Sequence, residues 1–393
     1  MMSVILGPPG TGKTTAILNL IEEELNNGTA PDKIGYFAFT KKASEEGKIR
    51  TIDRFNMTAT DIPHFRTLHS LCYKMLGLSR DAVMSKQHFK DFNDLMGMRL
   101  TGDLKLEEGS ISVLSKDDKL RFVEGLSRLR CVNLREQYHH HHDDDIDWYR
   151  LDRYARGLLK FKTTRHLYDF TDMLELCVEK ELSPKLEAVF IDEAQDLSPL
   201  QWKLVNILTS KADRVYIAGD DDQAIYEWNG ADVTLFQSFP GRALVLKKSV
   251  RLNKNIHFFS KCLLNSMGDN RVKKEFYSNQ KEGGVYRCNG LKKIPWDLEG
   301  DWMVLARIND VKKELQQEAR NLSLYYQDVK GNKSFDLNQF LAIEYWNKIC
   351  DGGSISREEA CVMYEYLLNI DHGYRSQDSK KWSFAHPNQV FNF

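Results

Sequence analysis

The chain has 393 residues, of which 42% are hydrophobic and 28% are charged, and its formal net charge is −1. This composition is ordinary for a soluble globular protein, and the length is enough for roughly two to four domains. The near-neutral charge excludes a uniformly basic nucleic-acid coat. It leaves room for a local basic groove, because electrostatic steering depends on where the charges lie.

The sequence shows no sign of export or of membrane insertion. The N-terminal MMSVILGPPG has no charged region and no long apolar stretch, unlike a signal peptide, and no window is apolar enough to span a bilayer. The seven cysteines are irregularly spaced and form no CxxC pair, which predicts reduced thiols and argues against a zinc site. We therefore expect a cytoplasmic protein without a membrane partner.

The first predicted elements are a strand, a glycine-rich loop and a helix. Val4–Leu6 is apolar, and apolar residues recur at helical spacing over Thr14–Asn26, with Gly28 as a natural stop. Between them, Gly7 to Thr14 fits the pattern G-x-x-x-x-G-K-[ST] of a phosphate-binding loop. Because a strand precedes this motif and a helix follows it, the context is the one that the motif requires.

The chemistry of phosphate binding explains the residue types in this loop. Glycines let backbone N–H groups approach phosphates closely, and the helix N-terminus adds a favourable dipole. The Lys13 ammonium would reach the β- and γ-phosphates, and the Thr14 hydroxyl would bind Mg²⁺. The alternative is a glycine-rich turn that binds nothing. The predicted nucleotide-binding residues are Gly7, Pro8, Pro9, Gly10, Thr11, Gly12, Lys13, Thr14 and Thr15.

Three further buried strands are predicted, at Ile34–Thr40, Leu186–Asp192 and Val215–Asp220. Helical patterns separate them, and this alternation predicts an α/β fold with a parallel sheet covered on both faces. Residues 71–180 carry helical patterns without a strong strand signal, so we predict an inserted helical subdomain. Its run HHHHDDD, from His139 to Asp145, favours a solvated loop over a metal site, because four consecutive histidines cannot all face one ion on regular structure.

The strand Leu186–Asp192 ends in two adjacent acids. Asp192 would hold Mg²⁺, usually through water, and Glu193 would polarise an attacking water. Because neighbours on a strand point to opposite sides, the two acids are expected to do different jobs. A strand that ends in a solvated acidic turn is the alternative. Directly afterwards, Ser198, Pro199 and Gln201 predict a capped helix start.

A second α/β pattern begins near Gly283. Strands are predicted at Val285–Cys288, Trp302–Arg307 and Leu324–Val329, and helices near Val311–Asn321, Phe335–Ile349 and Arg357–Ile370. The remaining tail is polar and irregular.

Six motifs in this order resemble the UvrD/Rep/PcrA-like branch of superfamily 1 helicases over roughly residues 1–350. They are GPPGTGKTT for motif I, FTKKAS (Phe39–Ser44) for Ia, TLHS (Thr67–Ser70) for Ib, FIDEAQDLSPLQW (Phe190–Trp202) for II, GDDDQAIYEWNGAD (Gly219–Asp232) for III and SVRLNKNI (Ser249–Ile256) for IV. The match to motif III is the most specific, whereas the phosphate loop alone would indicate an NTPase and no more.

The resemblance implies ATP and Mg²⁺ as cofactors and single-stranded DNA as the partner. It implies catalytic roles for Lys13, Asp192, Glu193, Gln223 and Arg251, with Thr14 and Asp192 on the metal. Gln223 would sense the γ-phosphate, and Arg251 would act as an arginine finger. Phe39, Tyr226 and Trp228 would stack on bases, while Thr40, Thr67 and His69 would contact the DNA backbone. For the aromatic residues core packing is the alternative, more so for Phe39 than for Trp228.

The same resemblance implies a division of the chain. A first RecA-like P-loop motor domain would comprise residues 1–70 and 181–250, with the helical accessory subdomain at 71–180 inserted into it. Residues 251–350 would begin a second, incomplete RecA-like domain, and residues 351–393 a second accessory region. The implied function is an ATP-dependent 3′–5′ DNA helicase or single-strand DNA translocase.

Three departures from the family pattern shape these expectations. The glutamine motif that precedes the phosphate loop is missing, and Val250 stands where the family has an adenine-stacking aromatic residue, so preference for ATP over other NTPs is open. Motifs V and VI are not found, which predicts that this chain alone hydrolyses NTP slowly. The chain would then be a fragment, a shortened form, or part of a motor that a second chain completes. A nucleotide-switched DNA-binding module and an RNA-directed motor remain the alternatives.

Overall fold

The computed structural model describes residues 1–102, 115–141, 146–268, 270–296, 301–329, 331–335 and 337–366. The chain divides into two compact units, Met1–Tyr286 and Arg287–Phe393. None of the described helices is both long and apolar enough to cross a bilayer. All seven cysteines are free thiols, as predicted, and two of them, Cys72 and Cys177, are buried.

The first unit is built on a six-stranded sheet with the strand order β3-β2-β4-β5-β1-β6. Every neighbouring pair is parallel, which confirms the predicted α/β fold. The strands are β1 (Met2–Leu6), β2 (Ile34–Ala38), β3 (Phe65–Thr67), β4 (Ala188–Asp192), β5 (Arg214–Gly219) and β6 (Arg242–Val245). Because all strands run in one direction, their carboxyl ends meet at one edge of the sheet, where open α/β sheets bind ligands.

Helices cover both faces of this sheet. Alternate residues of each strand enter different apolar cores: Phe37 and Ile191 belong to one, and Tyr36 and Phe190 to the other. This explains why β2 and β4 are continuously apolar and fully buried. The covering helices are α1 (Lys13–Asn26), α2 (Lys41–Phe55), α3 (Leu68–Met75), α9 (Pro199–Ser210) and α10 (Val233–Gln237). Helix α11 (Lys254–Ser266) follows β6 along the chain and buries none of its residues.

The predicted inserted segment folds as helices around its own apolar core. Phe92, Val123, Leu151 and Tyr154 are fully buried there. The helices around it are α4 (Lys86–Met96), α5 (Lys116–Leu129), α6 (Leu134–His140) and α7 (Trp148–Arg165). The last helix of the segment, α8 (Phe170–Glu179), packs on α3 and α9 and buries its apolar residues in the core of the sheet. In the histidine-rich run, His139 and His140 form the exposed end of α6 rather than a loop, and residues 142–145 lie outside the described ranges.

The second unit contains α12 (Asn309–Asn321), α13 (Leu337–Cys350) and α14 (Arg357–Tyr366), at the positions where helices were predicted. The last predicted helix was expected to reach Ile370, but residues 367–393 lie outside the description. Helices α13 and α14 pack on each other, and Lys348 Nζ lies 3.8 Å from a Glu359 carboxylate oxygen across this contact.

Two strands predicted near the end of the first unit and in the second are wrong. Residues 285–288 and 302–307 pair with no other strand within the described ranges, and their large apolar side chains are exposed, with Tyr286 at 87% and Met303 at 82%. The third, Leu324–Val329, makes an isolated bridge from Gln327 to Lys333. An apolar run becomes a strand where a neighbouring strand satisfies its backbone groups, and the pattern alone does not show that a neighbour exists.

Candidate nucleotide-binding site

The phosphate loop joins β1 to α1 and closes around Lys13. The Gly7 N–H donates to the Gly219 carbonyl at 3.0 Å, which ties the loop to the end of β5. Gly10 and Gly12 have φ of +69° and +83°, in the left-handed region that favours glycine. A Cβ at Gly7 would collide with the Lys13 side chain. The glycines therefore let the backbone wrap closely around the lysine.

The start of α1 is suited to hold an anion. Its N-cap, Gly12, provides no side-chain cap, and its first turn contains no acidic residue. The N–H groups of such a turn have no intrahelical acceptor and carry the positive end of the helix dipole. Thr14 is half-exposed in this turn and Thr15 is exposed, while the Thr11 hydroxyl donates to the Pro8 carbonyl at 2.7 Å and braces the loop.

Asp192 ends β4 and is held by two hydrogen bonds. The buried Tyr36 hydroxyl donates to Oδ2 at 2.7 Å, and the Glu193 N–H donates to Oδ1 at 2.9 Å. The carboxylate is 3% exposed, and burial, reinforced by the charge of Glu193, raises the pKa of Asp192 to about 6. A buried carboxylate with a raised pKa lies in surroundings that favour the arrival of a positive charge.

Glu193 follows the strand and pairs with Lys13. Its Oε2 lies 3.1 Å from Lys13 Nζ, and its side chain is 37% exposed. Its φ of +52° is left-handed, so the predicted reason for its separation from Asp192, alternation along a strand, does not apply. The turn after β4 separates the two carboxylates instead. A non-glycine residue in this conformation costs about 1–3 kcal/mol and is found where the surrounding structure holds it.

Gln195 links this turn to motif III, and sequence reasoning missed it. Its Nε2 donates to Glu193 Oε2 at 3.0 Å, and its Oε1 accepts the Asp220 N–H at 3.0 Å. Gln223 Nε2 donates to Asp220 Oδ2 at 2.5 Å and completes a continuous path. The sequence offered one signal for this role, a glutamine inside the motif DEAQD. The burial of its side chain, which is 2% exposed, and its hydrogen bond to Asp220, 25 residues away, become visible in the fold.

Asp196 adds a third carboxylate to this region. Its Oδ2 accepts a hydrogen bond from Gln195 at 3.1 Å, whereas its buried Oδ1 has no hydrogen-bond partner. Burial, followed by the charge of Glu193, raises the pKa of Asp196 to about 7. The acids around Lys13 therefore carry more negative charge than the lysine neutralises.

The segment that carries Arg251 lies on the phosphate loop. The Ser249 hydroxyl donates to the Pro9 carbonyl at 2.8 Å, and the Val250 N–H donates to the Gly10 carbonyl at 2.9 Å. A Cβ at Gly10 would collide with the Arg251 side chain. The structure thus brings Arg251 to the same sheet edge as Lys13 and the carboxylates.

A second acid cluster follows β5, and there the charges are paired. Asp220, Asp221 and Asp222 offer oxygens within 4.8 Å of one another. The fully buried ammonium of Lys274 lies among them, 2.8 Å from Asp220 Oδ1 and 3.0 Å from Asp222 Oδ2, and it also contacts Asp221. Arg271 makes two hydrogen bonds to Asp222, at 2.6 and 2.5 Å. A cation of the protein itself therefore occupies this cluster.

The predicted base-stacking residues form a row of rings beside the site. The centroids of Phe39 and Tyr226 are 5.1 Å apart, and those of Tyr226 and Trp228 are 6.5 Å apart. Trp228 stacks on Phe122 of α5 at 6.4 Å and packs against the core of the inserted helices. Core packing, judged the weaker alternative for Trp228, accounts for part of its surface, while all three rings of the row remain partly exposed.

The predicted backbone-contacting residues lie at the carboxyl ends of neighbouring strands. Thr40 and Thr67 cap α2 and α3, and their hydroxyls accept the N–H groups of Ala43 and Ser70. The His69 ring packs edge-on against Phe170 at 5.9 Å, and burial lowers the pKa of His69 to about 4. In the free protein this imidazole is therefore uncharged at neutral pH.

Comparison with known proteins finds one matching family. The family model of the UvrD/REP helicase N-terminal domain matches residues 2–243. The chain is 26% identical to the ATP-dependent DNA helicase Rep of Escherichia coli over 319 residues, 73% of this chain and 46% of that protein. It is 23% identical to the ATP-dependent DNA helicase PcrA of Staphylococcus epidermidis over 268 residues, 64% of this chain and 36% of that one. The chain spans about half the length of the curated relatives it matches.

Proposed function

Since the chain belongs to the UvrD/REP helicase N-terminal domain family, we propose that it hydrolyses ATP and uses the energy to move along single-stranded DNA in the 3′ to 5′ direction, as a cytoplasmic helicase or translocase. The observation that carries this proposal is the gathering of Lys13, Asp192, Glu193, Gln223 and Arg251 at one sheet edge beside a row of partly exposed rings.

The phosphates of ATP fit the loop and its lysine. The N–H groups at the start of α1 and the Lys13 ammonium supply positive charge where the β- and γ-phosphates would lie. Bound Mg²⁺ would neutralise phosphate charge, and Thr14 and Asp192 are the residues that would hold it. The fit rests on Asp192, whose pKa is raised to about 6 by burial and by Glu193, and on the unpartnered Oδ1 of Asp196.

Nucleotide binding would change the partners of Glu193. In the free protein this carboxylate is paired with Lys13 at 3.1 Å. A triphosphate competes for the lysine, and Glu193 is then released to orient and deprotonate the attacking water. The Gln195 and Asp220 hydrogen bonds connect Glu193 to Gln223, so the same rearrangement reaches the loop that carries Tyr226 and Trp228.

The row formed by Phe39, Tyr226 and Trp228 supplies the proposed track for DNA. Ring stacking on bases contributes about 1–3 kcal/mol per base and tolerates any sequence. Because Trp228 also packs on α5, movement of this loop relative to the inserted helices would change the position of the Trp228 ring and its contact with the DNA bases. Thr40, Thr67 and His69 would position the sugar-phosphate chain.

A nucleotide-switched DNA-binding module is the second candidate. The observation that favours it is that residues 285–288 and 302–307, where the sequence predicted the second motor domain, pair with no strand in the described part of the chain. In that case the chain would bind ATP and DNA but turn over slowly unless a second chain supplied the remaining motifs. A missing arginine finger alone lowers the rate by roughly 10³–10⁵.

Steady-state ATP hydrolysis by the whole chain, with and without oligo(dT) and a matched RNA oligonucleotide, tests the proposal. Stimulation by DNA, lost in Lys13→Ala, is the expected result. Release of streptavidin from the 5′ rather than the 3′ end of a biotinylated strand would support 3′ to 5′ movement. Nucleotide-dependent DNA affinity without hydrolysis would replace the motor by the switched module, and stronger stimulation by RNA would replace DNA as the substrate.

A further inference from the structure

The side chain of Tyr36 is buried in the core, and its hydroxyl lies beneath Asp192. Tyr36 lies on β2, is 1% exposed and stacks on Phe65 at 5.4 Å. In the β2–β4 register Ala38 is the partner of Asp192. Because residues two apart on a strand share a face, Tyr36 lies diagonally below Asp192 on the same side of the sheet. Its hydroxyl therefore reaches the carboxylate, and they meet at 2.7 Å across 156 residues of sequence.

Helix α2 makes room for this tyrosine. Gly47 faces the phenol end of the ring, and a Cβ there would lie 2.5, 2.7 and 2.9 Å from Cε1, Cζ and the hydroxyl oxygen. Such distances are incompatible with an unmoved ring. A glycine inside a helix destabilises it by about 1 kcal/mol relative to alanine. The space that the Tyr36 ring needs explains why a glycine stands here in spite of that loss.

We propose that Tyr36 is a positioning residue for Mg²⁺ binding. Its hydroxyl holds the Asp192 carboxylate in the one orientation that can receive the metal or its bound water. The inference rests on the proposed nucleotide site. Oδ1 of Asp192 accepts the Glu193 N–H and Oδ2 accepts the Tyr36 hydroxyl, so rotation of the carboxylate would break both bonds. Each oxygen keeps a second lone pair for a further partner. Groups that orient a metal-binding carboxylate in this way typically change metal affinity by about 10–100-fold when removed.

A purely structural role for the hydroxyl is the competing explanation, and the sheet offers a matched control. Tyr216 lies on β5, belongs to the same apolar layer and stacks on Phe190 at 4.6 Å. Its hydroxyl also donates to a buried carboxylate, Glu24, at 2.9 Å, but that carboxylate is at the other end of α1 from Lys13. Tyr216→Phe thus removes the same kind of hydrogen bond away from the phosphate loop.

The experiment measures the affinity of each full-length variant for a fluorescent ADP analogue, once with Mg²⁺ and once with EDTA. The ratio of the two affinities reports metal binding without requiring hydrolysis. Tyr36→Phe is expected to lower this ratio about 10-fold and to leave the affinity in EDTA unchanged, whereas Tyr216→Phe keeps the wild-type ratio. Gly47→Ala, which displaces the ring, is expected to lower the ratio as well, and it should add little to Tyr36→Phe because both act on one contact.

Two results would overturn the inference in different ways. A wild-type protein whose nucleotide affinity ignores Mg²⁺ would refute the proposed metal site itself, and the role of Tyr36 with it. A wild-type protein that responds to Mg²⁺, together with a Tyr36→Phe variant that responds equally, would refute the positioning role alone. A lower melting temperature of Tyr36→Phe with an unchanged ratio counts as that second result.

Discussion

Two acid clusters follow neighbouring strands of one sheet, and they differ in what neutralises them. After β4, Asp192, Glu193 and Asp196 share the charge of Lys13. After β5, Asp220, Asp221 and Asp222 enclose the buried ammonium of Lys274, and Arg271 adds a second cation.

The pKa shifts follow this difference. Burial raises the pKa of Asp192 and Asp196 to about 6 and 7. At Asp222 burial acts in the same direction, but the hydrogen bonds from Arg271 and Lys274 outweigh it and lower the pKa below its ordinary value. Proximity of carboxylates alone would select the second cluster as the metal site. The balance of charge favours the first, because its three acids share the charge of Lys13, whereas the second cluster has two cations, Lys274 and Arg271, for its three acids.

The largest expected effect is on chemistry at the first cluster. Glu193→Gln should lower the rate of ATP hydrolysis about 10²–10⁴-fold, because it removes the base proposed to accept the proton of the attacking water. The melting temperature should change little, since the substitution also relieves the negative charge that raises the pKa of Asp192 and Asp196. Single-turnover hydrolysis and thermal unfolding measure the two effects. Strong destabilisation with unchanged hydrolysis would assign this cluster a structural role.

The second cluster should respond in the opposite way. Lys274→Met leaves three buried carboxylates without their central cation, and breaking a buried ion pair on one side costs about 3–5 kcal/mol. Urea unfolding measures this loss, and Lys273→Met, at an exposed neighbouring position, is the matched control. Equal stability of the two variants would mean that the Asp220–Asp222 cluster does not depend on Lys274.

Asp196→Asn tests the charge imbalance of the first cluster through pH. The pKa of Asp196 is raised from 3.8 to about 7, so the folded protein binds this proton more tightly than the unfolded chain. The resulting stability is present below the ordinary pKa and is lost as pH rises towards 7. Asp196→Asn should therefore be more stable than the wild type at pH 8, by about 1–3 kcal/mol, and similar to it at pH 4. Urea unfolding at both pH values measures this, and an unstable variant at pH 8 would contradict it.

The smallest effect is expected at the edge of the second cluster. Arg271→Gln removes two hydrogen bonds to Asp222, but Lys274 still lies 3.0 Å from that carboxylate. We expect a loss of about 1–2 kcal/mol in the free energy of unfolding, smaller than for Lys274→Met. If Arg271→Gln were the more damaging change, the central position of Lys274 would not be what stabilises the cluster.

The sequence predicted the central strands well, and it missed the edges. Strands β1, β2, β4 and β5 are buried on both faces, so each is a continuous apolar run that stands out from its surroundings. Strands β3 and β6 have three and four residues and lie at the two edges of the sheet. Such short segments, of which β6 is largely exposed, carry no pattern that distinguishes them from loops.

At the site, the side chains that the sequence identified as functional all lie within contiguous motifs. The capping box of Ser198 and Gln201 was confirmed for the same reason, because its partners are three residues apart. The groups that were missed, Tyr36 and Lys274, act on carboxylates 156 and 53 residues away. A tyrosine in a core strand and a lysine in a charged run look unremarkable in sequence, and their roles depend on which strands become neighbours.

Metal binding tests the difference between the two clusters most directly. Mn²⁺ in place of Mg²⁺ can be counted by electron paramagnetic resonance in the presence of ADP, for the wild type and for Asp192→Asn and Asp221→Asn. We expect one nucleotide-dependent Mn²⁺ in the wild type and in Asp221→Asn, and a loss of that ion in Asp192→Asn. Retention of the ion in Asp192→Asn together with its loss in Asp221→Asn would contradict the proposed assignment of the metal to the cluster that follows β4.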